Sequence, residues 1–210
     1  MVPEFESFPE ILGVTAEEVA ALYPFLVVQD YFEADLPEPT SGGATFYGEY
    51  DLPCGWKLLF LQMCEDIRNA ATSTEIQSLR IIQVKEKFGE IRCYISGGST
   101  AIDTIIDNYS YVSGYICRNC GNIATVVSQY WISPWCDTCK RDIQDKLEPV
   151  TYEPIRRVTY HSADPKLSGT KEFNTGAIFN KYLKNLNQYI VYKNREYAAT
   201  PFLSYLQAKN

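Results

Sequence analysis

The chain has 210 residues, of which 46% are hydrophobic and 14% aromatic, with a net charge of −7 at pH 7. This composition allows a packed core and argues against an intrinsically disordered protein. No run of eighteen apolar residues is present and the N-terminus lacks the pattern of a signal peptide, so we expect a cytoplasmic protein without a membrane partner.

Charge is unevenly distributed along the chain. Residues 1–50 contain ten Asp or Glu and no Lys or Arg, whereas residues 151–210 contain four acids and nine bases. One interpretation is that the two ends neutralise each other or are simply solvated. The other is that an acidic face binds a basic partner, or that the basic end binds an acidic one.

The first half of the chain predicts helices and a hairpin. Thr15 and Glu18 have capping-box spacing before a short helix that ends at Tyr23. Apolar residues from Trp56 to Ile67 recur with helical spacing, with Asp51 as the candidate cap. Residues 79–96 predict two β-strands around Gly89, and Ile102 to Ile116 predict a further helix.

The second half of the chain predicts a mixture of elements. Residues 140–150 predict a short helix, 151–160 a strand, and Ile178 to Ile190 a helix. Strands and helices do not alternate regularly. We therefore predict an α+β fold with a small mixed sheet, several amphipathic helices and an embedded four-cysteine zinc-ribbon or treble-clef-like subdomain. Its expected regions are 1–116 (acidic, α+β), 117–147 (zinc) and 148–210 (basic, Tyr-rich, packed on the rest).

Four of the seven cysteines form two Cys-x-x-Cys pairs with fifteen residues between them. Two such pairs predict one structural Zn²⁺ with four thiolate ligands, since each pair can place two sulfurs on one ion. Gly121 suits the turn after the first pair, and residues 124–132 can form a hairpin between the pairs. The alternative is two reduced or redox-active pairs. The predicted metal ligands are Cys117, Cys120, Cys136 and Cys139.

A family resemblance accompanies this pattern over about residues 55–140. The stretches GWKLLFLQMCEDI, IIQVKEKFGEIRCYISGG, CRNCG and WCDTC follow one another in that order. The series resembles uncharacterised bacterial and prophage-encoded zinc-ribbon proteins. The resemblance implies the zinc assignment of the four cysteines and carries no activity with it.

Other candidate chemistry is weaker. His161 is the single histidine, so a Cys–His nucleophile would need Cys54, Cys64 or Cys93 beside it, and we expect these cysteines to be free structural thiols. Glu86 and Glu90 are expected to flank a solvated turn. Residues 96–99 form a Gly-rich stretch without a P-loop lysine, and we expect a plain turn. No catalytic residue is assigned.

Three functions remain open from the sequence. The first is a non-enzymatic zinc protein that binds another protein, in a prophage-type accessory, antagonist or immunity role, with Glu33, Asp35, Glu38 or Glu49 on the binding surface. The second is a nucleic-acid-binding regulator, although its low isoelectric point is atypical of one. It would use a set of basic residues: Arg118, Lys140, Arg141, Arg156, Arg157, Lys166, Lys171, Lys181 and Lys184. The third is an enzyme with an unrecognised site.

Overall fold

The structure is a computed structural model that describes residues 7–28, 46–49, 51–160 and 169–194. The described residues contain both helices and strands, which confirms the predicted mixed α and β class. The helices are α1 (Phe8–Leu12), α2 (Ala16–Leu22), α3 (Lys57–Ala70), α4 (Ser73–Ser78), α5 (Thr100–Ser113) and α6 (Gly176–Asn194). The strands are β1 (Arg80–Lys87), β2 (Glu90–Ser96), β3 (Val126–Ser128), β4 (Ser133–Trp135), β5 (Leu147–Pro149), β6 (Ile155–Tyr160) and β7 (Gly169–Asn174). No described helix is long and apolar enough to cross a membrane.

Capping boxes start the short helices. Thr15 accepts a hydrogen bond from the backbone N–H of Glu18, whose carboxylate accepts one from the N–H of Thr15, as the sequence predicted. Ser7 and Glu10 form the same motif at α1, a helix that the sequence analysis missed because it is only five residues long. These reciprocal bonds satisfy N–H groups that such short helices would otherwise leave unpaired.

The described core is built on α3 and α5. Both carry the predicted apolar faces, and the β1–β2 hairpin packs on α5. Helix α3 begins one turn later than predicted, because Cys54–Trp56 form a 3-10 turn first and Asp51 does not cap the helix. The largest fully buried side chains include Trp56, Tyr23, Tyr109, Tyr182, Phe8, Phe25, Phe46 and Phe60.

The described strands form three small sheets. The predicted hairpin is present as antiparallel β1 and β2, in which Lys87 pairs with Glu90 across the turn. Strand β3 lies between β4 and β5, and β6 pairs with β7. The described strands do not form one continuous sheet, so β2 and β7 pack on α5 and not on a neighbouring sheet.

Two predictions are wrong. Residues 140–150 do not form an α-helix: a 3-10 turn over Cys139–Asp142 is followed by β5, because the side chain of Asp145 and the carbonyl of Lys146 bind the N–H groups of Tyr130 and Gln129. Glu49 is not on a binding surface. Its side chain is buried and accepts a hydrogen bond from the N–H of Phe8 at 2.8 Å.

Several sequence-based expectations fall outside the described residues. These concern His161, Lys166, the acidic residues Glu33, Asp35 and Glu38, and a short terminal helix expected around residues 202–206.

A buried polar network joins three helices. Gln62 on α3 donates to the hydroxyl of Tyr109 on α5 and to the carbonyl of Ile178 on α6. The Tyr109 hydroxyl donates in turn to Asp66 at 2.5 Å. Lys181 binds the other oxygen of that carboxylate at 2.5 Å. The network fixes how α6 lies against α3 and α5, since each of its polar groups depends on a partner from another helix.

Replacing Tyr109 with Phe should reduce the free energy of unfolding by about 1–3 kcal/mol, because the Gln62 amide loses one of its two acceptors and Asp66 loses the Tyr109 donor. Urea denaturation measures the change. Tyr94→Phe is the matched control, because the Tyr94 ring is partly exposed, and it should change stability by less than about 0.5 kcal/mol. Equal effects of the two substitutions would show that the network does not hold the helices.

Candidate metal centre

The two Cys-x-x-Cys pairs converge at the end of α5. Cys117 and Cys120 lie in the loop that leaves this helix, and Cys136 and Cys139 follow β4. One sulfur from each residue lies within 4.8 Å of all the others. The backbone N–H of Arg118 also donates to the carbonyl of Pro134 at 3.1 Å, so main-chain contacts hold the two loops together.

The first pair is closed by a tight turn. The N–H of Gly121 donates to the carbonyl of Cys117 at 3.0 Å, and the N–H of Cys117 donates to the carbonyl of Asn122 at 2.7 Å. Gly121 has φ +78°, a left-handed conformation that glycine adopts without steric cost, as the sequence predicted for this position. The turn aims both sulfurs of the pair at one point.

The second pair lies on a tight turn that leads into the 3-10 turn at Cys139–Asp142. The N–H of Lys140 donates to the carbonyl of Cys136 at 3.0 Å, and the N–H of Cys139 points at the Cys136 sulfur at 3.5 Å. This turn is therefore sufficient to bring the Cys136 and Cys139 sulfurs together. The helix expected over residues 140–150 is not required to position them.

Two asparagine side chains surround the sulfurs. The amide of Asn119 donates to Cys139 and that of Asn122 to Cys120, both at 3.4 Å. The pKa of Cys117 is lowered to about 5, because its sulfur shares a proton with the Cys120 thiol and lies near backbone N–H donors. The same proton sharing raises the pKa of Cys120. Burial also raises the pKa of Cys139, so Cys117 is the thiol whose pKa is lowered. The hydrogen bond between Cys117 and Cys120 shows that neighbouring sulfurs of the cluster are in direct contact.

The sulfur spacing fits a tetrahedral metal ion. Four sulfurs at about 2.3 Å from one ion lie about 3.8 Å apart. The Cys120 and Cys136 sulfurs are 3.5 Å apart, and none of the four cysteines is in a disulfide. Cys117, Cys136 and Cys139 are buried and Cys120 is half-buried, so a bound ion would have little contact with water. The four residues could therefore hold a metal ion in a closed shell.

The cluster is packed directly on the core. The N–H of Gly55 donates to the carbonyl of Arg118 at 2.9 Å, and the Trp56 indole donates to that of Ile116 at 2.8 Å. A Cβ atom on Gly55 would lie 2.2 Å from the Cys117 carbonyl oxygen. Tyr182 on α6 donates to the carbonyl of Gly121 at 2.7 Å. The first cysteine loop is thus enclosed by the start of α3 on one side and by α6 on the other.

The loop between β3 and β4 presents large side chains to solvent. Tyr130 is 92% exposed and Trp131 is 68% exposed, and Ile132 follows them. The backbone beneath them is fixed, because Ser128 Oγ donates to the carbonyl of Trp131 at 2.6 Å and Asp145 accepts from the N–H of Tyr130 at 3.1 Å. The sequence analysis placed a hairpin here and did not recognise that its turn consists of exposed aromatic residues.

The turn of the β1–β2 hairpin lies against the same loop. A Cβ atom on Gly89 would be 3.1 Å from the side chain of Ile132. The neighbouring Phe88 is 66% exposed and has φ +55°, a conformation that is unfavourable for a bulky side chain. We call Phe88, Tyr130, Trp131 and Ile132 the aromatic tip. Two separate hairpins contribute to it.

The remaining cysteines are apart from the cluster. Cys54, Cys64 and Cys93 are free, as expected. Burial raises the pKa of Cys64 well above its ordinary value and that of Cys93 to about 12, so both are neutral thiols near pH 7. They contribute packing and not a reactive thiolate.

Comparison with known proteins gives no relative. No protein-family model matches the chain, no curated protein matches it, and no solved structure matches it. The arguments that follow therefore rest on the geometry of this chain.

Gly55→Ala should destabilise the protein by about 3 kcal/mol, because the added methyl group meets backbone atoms of the cysteine loop and cannot rotate away. Thermal unfolding of the metal-loaded protein measures this. Gly114→Ala is the control, since the nearest atom to a Cβ atom there is 3.4 Å away. A Gly55→Ala protein as stable as the control would contradict the close packing of loop and core.

Proposed function

We propose that this chain is a zinc-stabilised protein that binds another protein through its aromatic tip. The zinc ion is structural, and its role is to fix the loop that carries Tyr130 and Trp131. The observation that carries the proposal is the pair of strongly exposed aromatic side chains on a loop with an anchored backbone.

Zinc is the metal that best suits the cluster. Four thiolates in a tetrahedral arrangement favour Zn²⁺ among the common divalent ions, and a full set of protein ligands leaves no position for a reactive water. The amide donors from Asn119 and Asn122 supply the hydrogen bonds that such sulfur ligands receive. The order of a cysteine turn, a short hairpin and a second cysteine turn supports a zinc-ribbon or treble-clef-like subdomain.

Exposed aromatic clusters are uncommon on proteins that act alone. Trp and Tyr dominate the binding energy of protein interfaces, and contiguous exposed apolar surface marks interaction sites. The anchored backbone lowers the conformational entropy lost on binding. Phe88 adds a third exposed ring: the two-residue turn between Lys87 and Glu90 requires positive φ at Phe88 and Gly89, and a large side chain at 66% exposure stands where such turns usually carry Asn or Asp. The aromatic tip therefore supports a role in recognition.

The pairing of the basic side chains favours a protein partner over nucleic acid. Most of the basic residues that the sequence suggested for phosphate binding already have a partner within the protein. Lys140 pairs with Asp137 at 2.6 Å, Arg157 with Glu172 at 2.6 Å and Lys181 with Asp66 at 2.5 Å. Lys171 pairs with Asp107, and Arg118 donates to Ser133. Phosphate binding would have to compete with these contacts, which favours a protein partner.

Purified, reduced protein should contain about one zinc per chain, because one closed shell requires the four clustered thiolates. Elemental analysis measures the ratio. Cys120→Ser should lose most of the metal, whereas Cys93→Ser should retain it, since Cys93 lies outside the cluster. A wild-type value far below one, or equal metal loss in both variants, would contradict the assignment.

A photo-crosslinking amino acid in place of Trp131 should form a discrete adduct with one protein in the native cell. The same amino acid at Ile155, which is also exposed but lies on β6, is the control and should not form that adduct. Adding Tyr130→Ser and Phe88→Ser should abolish the adduct without changing zinc content. A diffuse adduct pattern at both positions, or an adduct with nucleic acid, would refute the proposed protein partner.

A further inference from the structure

A cleft of about 600 Å³ is lined by residues other than those of the aromatic tip, although it shares the β1–β2 hairpin with the tip through Glu90. Its walls are β2, α5 and the β6–β7 hairpin, and it lies between two sheets that do not pair with each other. Its lining includes Arg92, Tyr94, Asp107, Tyr111, Arg156 and Phe173. Its volume is typical of clefts that enclose a small organic molecule.

We propose that this cleft binds a small molecule in which a planar ring is joined to an anionic group, of about the size of a mononucleotide. Arg156 contacts the anion, and the rings of Tyr94, Tyr111 and Phe173 contact the planar part. This inference is independent of the protein partner proposed above.

Of the two arginines that line the cleft, Arg156 has the weaker ion pair. Its guanidinium donates one hydrogen bond, to the hydroxyl of Tyr115 at 3.2 Å, and lies 3.8 Å from the carboxylate of Glu153, beyond hydrogen-bond distance. A guanidinium has further N–H groups to offer, arranged to grip a phosphate or carboxylate with two parallel bonds. An anionic ligand can therefore bind Arg156 without breaking a strong ion pair.

The carboxylates of the cleft are already neutralised. Glu90 accepts from Arg92 at 2.5 Å, and Asp107 pairs with Lys171. Their negative charge is thus offset by cations within the same walls. An anion entering beside Arg156 meets paired carboxylates and not isolated ones, which limits the repulsion that it experiences.

Aromatic side chains form the other part of the site. The Tyr111 and Phe173 rings are stacked, with centroids 4.7 Å apart and planes 20° apart, although they come from α5 and β7. The Tyr115 hydroxyl donates a hydrogen bond to the Tyr111 hydroxyl at 3.1 Å and so fixes the Tyr111 side chain. Tyr94 on β2 is 41% exposed. Its ring provides a surface on which a planar ligand can stack.

The test uses the full-length, zinc-loaded protein and isothermal titration calorimetry with adenosine 5′-monophosphate and uridine 5′-monophosphate as probes. At least one should bind, whereas adenosine and inorganic phosphate, which each lack one half of the proposed chemistry, should bind at least about tenfold more weakly. Arg156→Gln should weaken binding by about tenfold or more, because a charge-assisted contact is lost.

Arg157→Gln is the matched control. Arg157 is the next residue of the same strand, does not line the cleft and pairs with Glu172, so its loss should leave binding unchanged. Tyr94→Ala provides a second variant that removes a partly exposed ring, and it should weaken binding while thermal unfolding stays the same. Failure of both nucleotides to bind, or equal effects of Arg156→Gln and Arg157→Gln, would overturn the inference.

Discussion

The close approach of Gly55 to the first cysteine loop is the constraint on which the arrangement of the molecule depends. The backbone of this residue lies so near Cys117, Cys120 and Gly121 that no side chain fits between them. Trp56, the next residue, is fully buried and binds the carbonyl at the end of the α5 segment, while Tyr182 closes the opposite side. The first cysteine loop is therefore part of the core packing, so a metal ion held by the four cysteines would be linked to the folding of the surrounding residues.

This arrangement explains how exposed aromatic residues can be held in place. The hairpin with Tyr130 and Trp131 connects the two cysteine pairs, and its other side is secured by β5 and Asp145. The β1–β2 turn reaches the same loop through Gly89 and Ile132. Exposed aromatic side chains bring little hydrophobic stabilisation to the free protein, which is the physical basis of the proposal that a partner covers them. The cleft beside Arg156 shares the β1–β2 hairpin with the aromatic tip, but no residue belongs to both, so substitutions at Arg156 and at Trp131 test the two proposed sites separately.

The sequence predicted the features that depend on local pattern. The capping box at Thr15, the apolar faces of α3 and α5, the turn at Gly89 and the cysteine turn at Gly121 all follow from short-range spacing. It did not predict what depends on contacts between distant segments. Residues after Cys139 have helical spacing, yet pairing with β3 makes Leu147–Pro149 a strand. Glu49 looked like a surface acid, but it binds the N–H of Phe8 from a buried position. Three further features depend on such distant contacts and could not be predicted from the sequence: the need for glycine at position 55, the exposure of the aromatic tip, and the cleft.

The central claim is that a closed four-thiolate zinc centre organises this fold. X-ray absorption at the zinc edge tests it most directly, because the method counts the sulfur ligands and measures their distance from the metal. The account requires four sulfur ligands at about 2.3 Å and no nitrogen or oxygen ligand in the first shell. A first shell with two sulfur ligands, or with water or another oxygen in place of a thiolate, would contradict it.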